Sequence, residues 1–291
     1  MDIDDKIILM NHTAEDLLKL DRPLKPQTTW SDVRAMTDMR SYKGIPLTED
    51  MDPIYIAIRN MECVAVNILV KASEQESSNW LNVTSFPVTD SDGKFIAGVA
   101  TLFDVSEFKG IQDILYHKAT HDPLTGLSNR TLFSANLCKE FARAKRKKSA
   151  CALLVVDIDK FKRVNDSLGH AAGDDLLMKV ANRISSEVRE SDVVARLGGD
   201  EFAILLTDLS LDNGLHVAGD IADRICRSIT NAFQIKDDEV YVSASIGISL
   251  YPTDGLDETA IFTKADAAMY KTKENGRNGW SFWEDPDKSV S

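Results

Sequence analysis

Apolar residues change their spacing several times along the chain, and the changes outline its elements. In "KIILMN" (6–11) they run together as in a short strand, and His12-Thr13-Ala14-Glu15-Asp16-Leu17-Leu18 opens a helix with Thr13 as cap. "NWLNVTSFPVTDSDGKFIAGVATLFDV" (79–105) holds two long β-rich runs, with Asp90-Ser91-Asp92-Gly93 between them as a hairpin turn signal. Val105, Phe108, Ile111, Leu115 and Lys118 then fall at three- and four-residue steps. This predicts an amphipathic helix that ends at or just before Asp122, because Pro123 follows. Its narrow seam suits either a short coiled coil with a second chain or packing on a neighbouring domain. Beyond it the pattern reads helix (131–145), strand (152–158), helix (174–189), hairpin (193–206), helix (215–232), strand (241–250) and helix (256–273). Alternating elements around an antiparallel hairpin predict an α/β (α+β) fold with a mixed central sheet covered by helices, preceded by a smaller α/β region.

At 291 residues, two domains are the natural expectation. A hydrophobic share of 43% and a charged share of 27% are those of a soluble globular protein, with no run long enough for a membrane span and no signal-peptide pattern at Met1-Asp2-Ile3. This implies a cytoplasmic location. The net charge is −12 and uneven: residues 1–107 carry 18 acidic and 10 basic side chains, the remainder 28 and 24. The acidic first part argues against nucleic acid or anionic membrane as its partner. The basic run Arg143 to Lys148 reads as a solvated helix end. Cys63, Cys138, Cys151 and Cys226 show no metal or redox spacing and read as buried free thiols, with Cys63 in a strand core.

Candidate chemistry begins at "ALLVVDIDKFKRVND" (152–166), where a continuous apolar strand runs into Asp157 and Asp159. Carboxylates at the end of a buried strand are offset by a divalent cation or serve as a helix cap. In "RLGGDEFAIL" (196–205), Gly198-Gly199 turns a hairpin whose tip carries Asp200 and Glu201. If that hairpin lies beside the first strand, oxygen ligands converge in a way that suits Mg²⁺, and paired glycines let backbone approach a ligand.

These residues are similar to the GGDEF family of diguanylate cyclases, and the likeness extends over residues 118–280. It includes "DPLTGLSNR" (122–130), "DIDKFKRVNDSLGHAAGDDLL" (157–177), "RESDVVARLGGDEF" (189–202), "SASIGIS" (243–249) and "ADAAMYKTKENGRN" (265–278), in the family's order. The resemblance implies a palm-like domain over 122–291 that condenses two GTP to cyclic di-GMP, each 3′-hydroxyl attacking the α-phosphate of the other nucleotide. It implies Asp157, Asp200 and the Ile158 carbonyl as ligands of Mg²⁺ or Mn²⁺, with Asp200 or Glu201 helping to deprotonate the attacking hydroxyl. Phosphates would rest on backbone amides around Lys160 and Phe161, close to Gly198 and Gly199, and on Lys273 and Arg277, which share a helix face if the helix continues that far. Asn165 and Asp174 would read guanine; bare spacing would instead make Asp174 a helix cap. Arg189 and Asp192 match the family's RxxD inhibitory site, implying product inhibition, where the bare reading is a helix-end charge pair.

Residues 1–104 resemble a PAS sensor domain, with Asp104-Val105-Ser106 in place of the usual D-I-T ending and 105–121 as a helical linker. The chain starts after the position of that family's first strand, as a piece of a longer protein would. No histidine lies between His12 and His117, so haem is not supported, and the flavin-type cysteine motif is absent. An unknown small ligand and a purely dimerising role stay open. For the whole chain, an active homodimeric cyclase is the leading reading. A non-catalytic cyclic di-GMP or GTP receptor, and a dimerisation module with a vestigial partner, are the alternatives.

Overall fold

The computed structural model describes residues 1–2, 4–20, 24–71 and 78–285, in two compact units, Met1–Leu115 and Tyr116–Ser291. The sequence reading of 122–291 therefore runs past the described residues at its end.

The first unit contains α1 (His12–Leu17), α2 (Trp30–Met36), β1 (Asp38–Ser41), α3 (Pro53–Asn60), β2 (Val64–Lys71), β3 (Asn79–Thr89) and β4 (Phe95–Asp104). The strands form one antiparallel sheet in the order β1-β2-β3-β4. The expected hairpin at 90–93 is present: Asp90 accepts hydrogen bonds from the amides of Asp92 and Lys94. "KIILMN" is not a strand; it makes only a single bridge, Lys6 to Thr29. Asn11, not Thr13, caps α1, because its side chain accepts the Ala14 amide at 2.9 Å. Cys63 precedes β2 and is exposed, as is Cys138, whereas Cys151 and Cys226 are buried; all four are free thiols. In the core, Asp52 caps α3 through the Ile54 amide and also accepts the Trp30 indole N–H at 2.8 Å.

α4 (Ser106–Thr120) is the predicted amphipathic helix, and it ends two residues before Asp122. None of its residues is buried, and Phe108, Ile111 and Leu115 of the predicted seam are exposed.

The second unit continues with α5 (Arg130–Lys147), β5 (Ala150–Asp159), α6 (Phe161–Leu168), α7 (His170–Ser186), β6 (Val193–Gly198), β7 (Glu201–Leu209) and α8 (Gly214–Thr230). The small ribbon β8 (Phe233–Ile235) and β9 (Asp238–Val240) leads to β10 (Ser243–Tyr251), α9 (Glu258–Glu274) and β11 (Gly279–Phe282). The sheet order is β11-β10-β5-β7-β6, antiparallel except for the parallel pair β10–β11, so the expected mixed central sheet is present. β5 lies at its centre and is apolar from Ala150 to Val156 because both faces are covered there. Leu154, Val156 and Ile158 pack with α7 and α8, while Cys151, Leu153 and Val155 pack with α5 and α9. The alternation continues past the apolar run, so Asp157 and Asp159 emerge on the α5–α9 face. Arg143 and Lys147, near the end of α5, both pair with Asp208, consistent with a helix-end role for the basic run.

Candidate active site

The site forms where β5 ends. Antiparallel register sets Asp157 directly opposite Glu201 on β7 and Ser245 on β10, and opposed residues of such a pair share a face. The Ile158 amide donates to the Asp200 carbonyl at 3.2 Å, which ties the hairpin tip to the strand end. The two glycines at the tip have φ of 146° and 55°, with open space where a Cβ would lie. Conformation, rather than room, therefore requires glycine there.

A residue pair without an assigned role in the sequence reading holds this tip. Arg196 donates from Nε and a terminal nitrogen to the Gly199 carbonyl, at 2.9 and 2.8 Å, and from its other terminal nitrogen to both oxygens of Asp122. Burial pushes the Asp122 carboxyl up, but hydrogen bonds from Thr125 and Arg196 outweigh it and leave it below its ordinary value. "DPLTGLSNR" thus acts as a brace for the hairpin 70 residues on. The signal for it was Arg196, a cation inside an otherwise apolar strand.

Carboxylates crowd at the tip. Burial, above all, raises the Asp157 carboxyl; Lys273 pulls it back through an ion pair at 2.8 Å, and Asp200 and Asp159 push it up again. Glu201 is raised by burial first, then by Asp266 and Asp157, with Arg130 opposing and Asp200 adding. Among the described residues no group of three or more His, Cys, Asp or Glu side chains forms a metal cage. Two carboxylates and a carbonyl with surplus negative charge nevertheless fit a hard divalent ion that keeps other positions for phosphate and water. A raised carboxyl favours the fold in its protonated form: that contribution is present below the ordinary carboxylate range and lost as pH rises through the raised value. Glu201→Gln should therefore melt above wild type at pH 7 and lose that advantage at about pH 3, read by calorimetry.

Lys160, between β5 and α6, is the N-cap of α6 with φ of 59°, so the helix N-terminus follows directly on the strand end. The Asn165 side chain and the Asp174 carboxylate make no hydrogen bond with any described residue, and Asp174 is exposed on α7. Asp174 is not a cap, because α7 starts at His170 with Gly169 before it. Gly173, unremarked in the sequence, brings α6 and α7 together: a Cβ there would lie 1.9 Å from the Asn165 Oδ1.

Lys273 and Arg277 do not share a helix. α9 ends at Glu274, and Gly276, Arg277 and Asn278 follow with φ of 108°, 65° and 48°. Side-chain entropy and propensity favour continued helix through "KENGRN" only weakly, and the glycine supplies a stop.

Arg189 and Asp192 lie beyond the end of α7, beside a cavity of about 330 Å³ that His121 and Ser128 also line. They are not a side-chain charge pair. The Asp192 carboxylate accepts the Arg189 amide at 3.1 Å and the Thr207 amide at 3.0 Å, leaving the guanidinium exposed.

Residues 119–279 match the family described as diguanylate cyclase, GGDEF domain, which is more than half of the chain. The chain belongs to the GGDEF family. Its GGDEF domain is similar to that of the bifunctional diguanylate cyclase/cyclic di-GMP phosphodiesterase MucR of Pseudomonas aeruginosa, 44% identical over 170 residues, 58% of this chain and 24% of MucR. It also resembles the solved GGDEF domain of TpbB from the same organism, at 42% identity and a TM-score of 0.55, covering 58% of this chain and 98% of that one. A third likeness is to the coiled coil and GGDEF domain of DgcB from Caulobacter crescentus, solved in complex with c-di-GMP, at 27% identity and a TM-score of 0.55 over 61% of this chain and 93% of that one. The chain spans 24% of the length of MucR and 37% of that of TpbB.

Proposed function

We propose that the chain condenses two GTP to cyclic di-GMP and two pyrophosphates. The observation that carries this reading is the meeting of Asp157, Glu201 and Lys273 on one face of the sheet, with the carboxyls raised and the ammonium 2.8 Å from Asp157. Asp157, Asp200 and the Ile158 carbonyl hold Mg²⁺ or Mn²⁺, which when bound lowers the pKa of the attacking 3′-hydroxyl and offsets charge on the α-phosphate. Asp200 or Glu201 takes the hydroxyl proton. Lys273 and Arg277 take phosphate oxygens, and the amides at Lys160 and Phe161 line the phosphate path together with Gly198 and Gly199. Asn165 and Asp174, without a hydrogen-bond partner among the described residues, receive guanine: a carboxylate accepts both N1–H and N2–H₂, donors that adenine lacks in that arrangement.

Each chain supplies one GTP site, so the working unit is a homodimer. The exposed apolar seam of α4 suits that pairing as a coiled coil, and truncation of residues 1–104 should alter activity or dimerisation. Residues 1–104 are read as a PAS-like sensor, supported by the four-stranded antiparallel sheet and by a cavity of about 410 Å³ among residues such as Leu18, Met39, Ile68 and Val83. The protein, or this part of it, works in the cytoplasm; among the described residues no helix is long and apolar enough to cross a membrane.

Incubation with GTP and Mg²⁺, followed by nucleotide separation, tests the activity. Cyclic di-GMP with pyrophosphate is expected; tight cyclic di-GMP binding without turnover would replace this reading with the receptor. Arg189 and the cavity beside it bind the product and slow the enzyme. Arg189→Ala should leave the initial rate within about twofold and remove the late slowing in progress curves, since only the guanidinium that grips phosphate is lost. Unchanged inhibition by added cyclic di-GMP would refute that assignment.

A further inference from the structure

Of the two side chains assigned to phosphate, Lys273 lies on α9, whereas Arg277 lies past its end. It follows the end of α9 in a run of three residues with positive φ, a conformation that glycine and asparagine tolerate but the Arg277 side chain disfavours. Something must fasten such a turn. The Arg277 amide donates to the Thr272 carbonyl at 3.1 Å, closing the helix end. The second fastening is Asp159, the other carboxylate of "DID". Its Oδ2 accepts the Asn278 amide at 3.2 Å, and its Oδ1 lies 3.9 Å from the Arg277 Nε.

Asp159 is itself immobilised. It is 4% exposed, and two hydroxyls of β10 donate to it: Ser243 to Oδ2 at 2.6 Å and Ser245 to Oδ1 at 2.8 Å. One carboxylate thus joins the end of β5, the start of β10 and the turn that presents Arg277. Both of its oxygens are engaged by this chain's own donors, so it has a different task from Asp157, two residues earlier on the same face.

We propose that Asp159 is a positioning residue, which never touches the nucleotide but holds the 275–278 turn so that Arg277 reaches the triphosphate. This rests on the reading that the chain binds GTP. Neutralisation should be enough to undo it. In Asp159→Asn, an amide nitrogen in place of Oδ2 opposes the Asn278 N–H; flipped, it faces the Ser245 hydroxyl and Arg277 instead. Either orientation gives up a partner.

The test uses the full chain and 3′-deoxy-GTP, which lacks the attacking hydroxyl and reports binding alone. Asp159→Asn and Arg277→Ala should each weaken binding by roughly tenfold, and the double variant should be no weaker than Arg277→Ala alone. In turnover, Asp159→Asn should raise KM for GTP by a similar factor of about ten and leave kcat within about threefold, a split that general loss of structure does not produce. Independent, multiplying losses in the double variant would overturn the inference, as would wild-type affinity in Asp159→Asn. A wild-type chain that fails to bind 3′-deoxy-GTP removes the GTP reading beneath it instead. Should Asp159→Asn not fold, Ser243→Ala removes one grip on the carboxylate and is expected to show the same non-additivity with Arg277→Ala; additivity there overturns the proposal too.

Discussion

Asp200→Ala is expected to lower cyclic di-GMP formation by at least ~1,000-fold in a protein that remains folded, a loss of about 4 kcal/mol of transition-state stabilisation. The tip's backbone does not depend on this side chain. The Asp200 carbonyl accepts the Ile158 amide at 3.2 Å, and Arg196 holds Gly199 from the other side. The side chain's own effect is electrostatic: it raises both Asp157 and Glu201. Alanine relieves that repulsion, so the variant should melt no lower than wild type at pH 7 while losing a metal ligand. Separation of nucleotides after incubation with GTP and Mg²⁺, paired with thermal melts, reads both halves. Turnover above about a tenth of wild type would remove Asp200 from the catalytic set.

Gly247→Ala is expected to destabilise the second unit by about 3 kcal/mol or more, seen as a fall in melting temperature of roughly 6–12 °C. Gly247 lies on β10 with α9 directly over it. An added Cβ would lie 2.0 Å from the Ala265 carbonyl oxygen and 2.1 Å from the Met269 amide nitrogen. Both obstacles are helix backbone, so no rotamer change gives room and α9 must move off the sheet. α9 also carries Lys273, whose ammonium reaches Asp157 across this contact. GTP turnover should therefore fall together with stability. A variant that melts like wild type would show that α9 does not sit this close to β10.

Most regular elements of the second unit were legible because their periodicity survives in one sequence. β5 reads as a buried strand from "ALLVVD", and α4, which begins in the first unit, reads as a helix from its three- and four-residue steps. The first unit was less legible. "KIILMN" is apolar enough for a strand, yet its backbone finds only one bridge, because strand formation depends on a partner that lies elsewhere in the chain. Cys63 went the same way: apolar neighbours suggested a core position, whereas the strand starts one residue later.

The candidate site divides similarly. The sequence alone named Asp157, Asp200, Glu201, Asn165, Asp174 and Lys273 as candidates, since the family's motifs are strings of neighbouring residues. It also carried the glycine hairpin, because positive φ is a local demand that only a few residue types meet. Only tertiary structure showed that Glu201 stands across from Asp157, that Arg196 and Asp122 brace the tip, and that Gly173 and Gly247 are places where helices press close. It also moved Arg277 off the helix and set the Asp159 carboxylate against the turn that follows. The reason is physical: a motif records which groups are present, whereas register, close approach and the hydrogen bonds of a left-handed turn join residues tens of positions apart, and no local pattern encodes that distance.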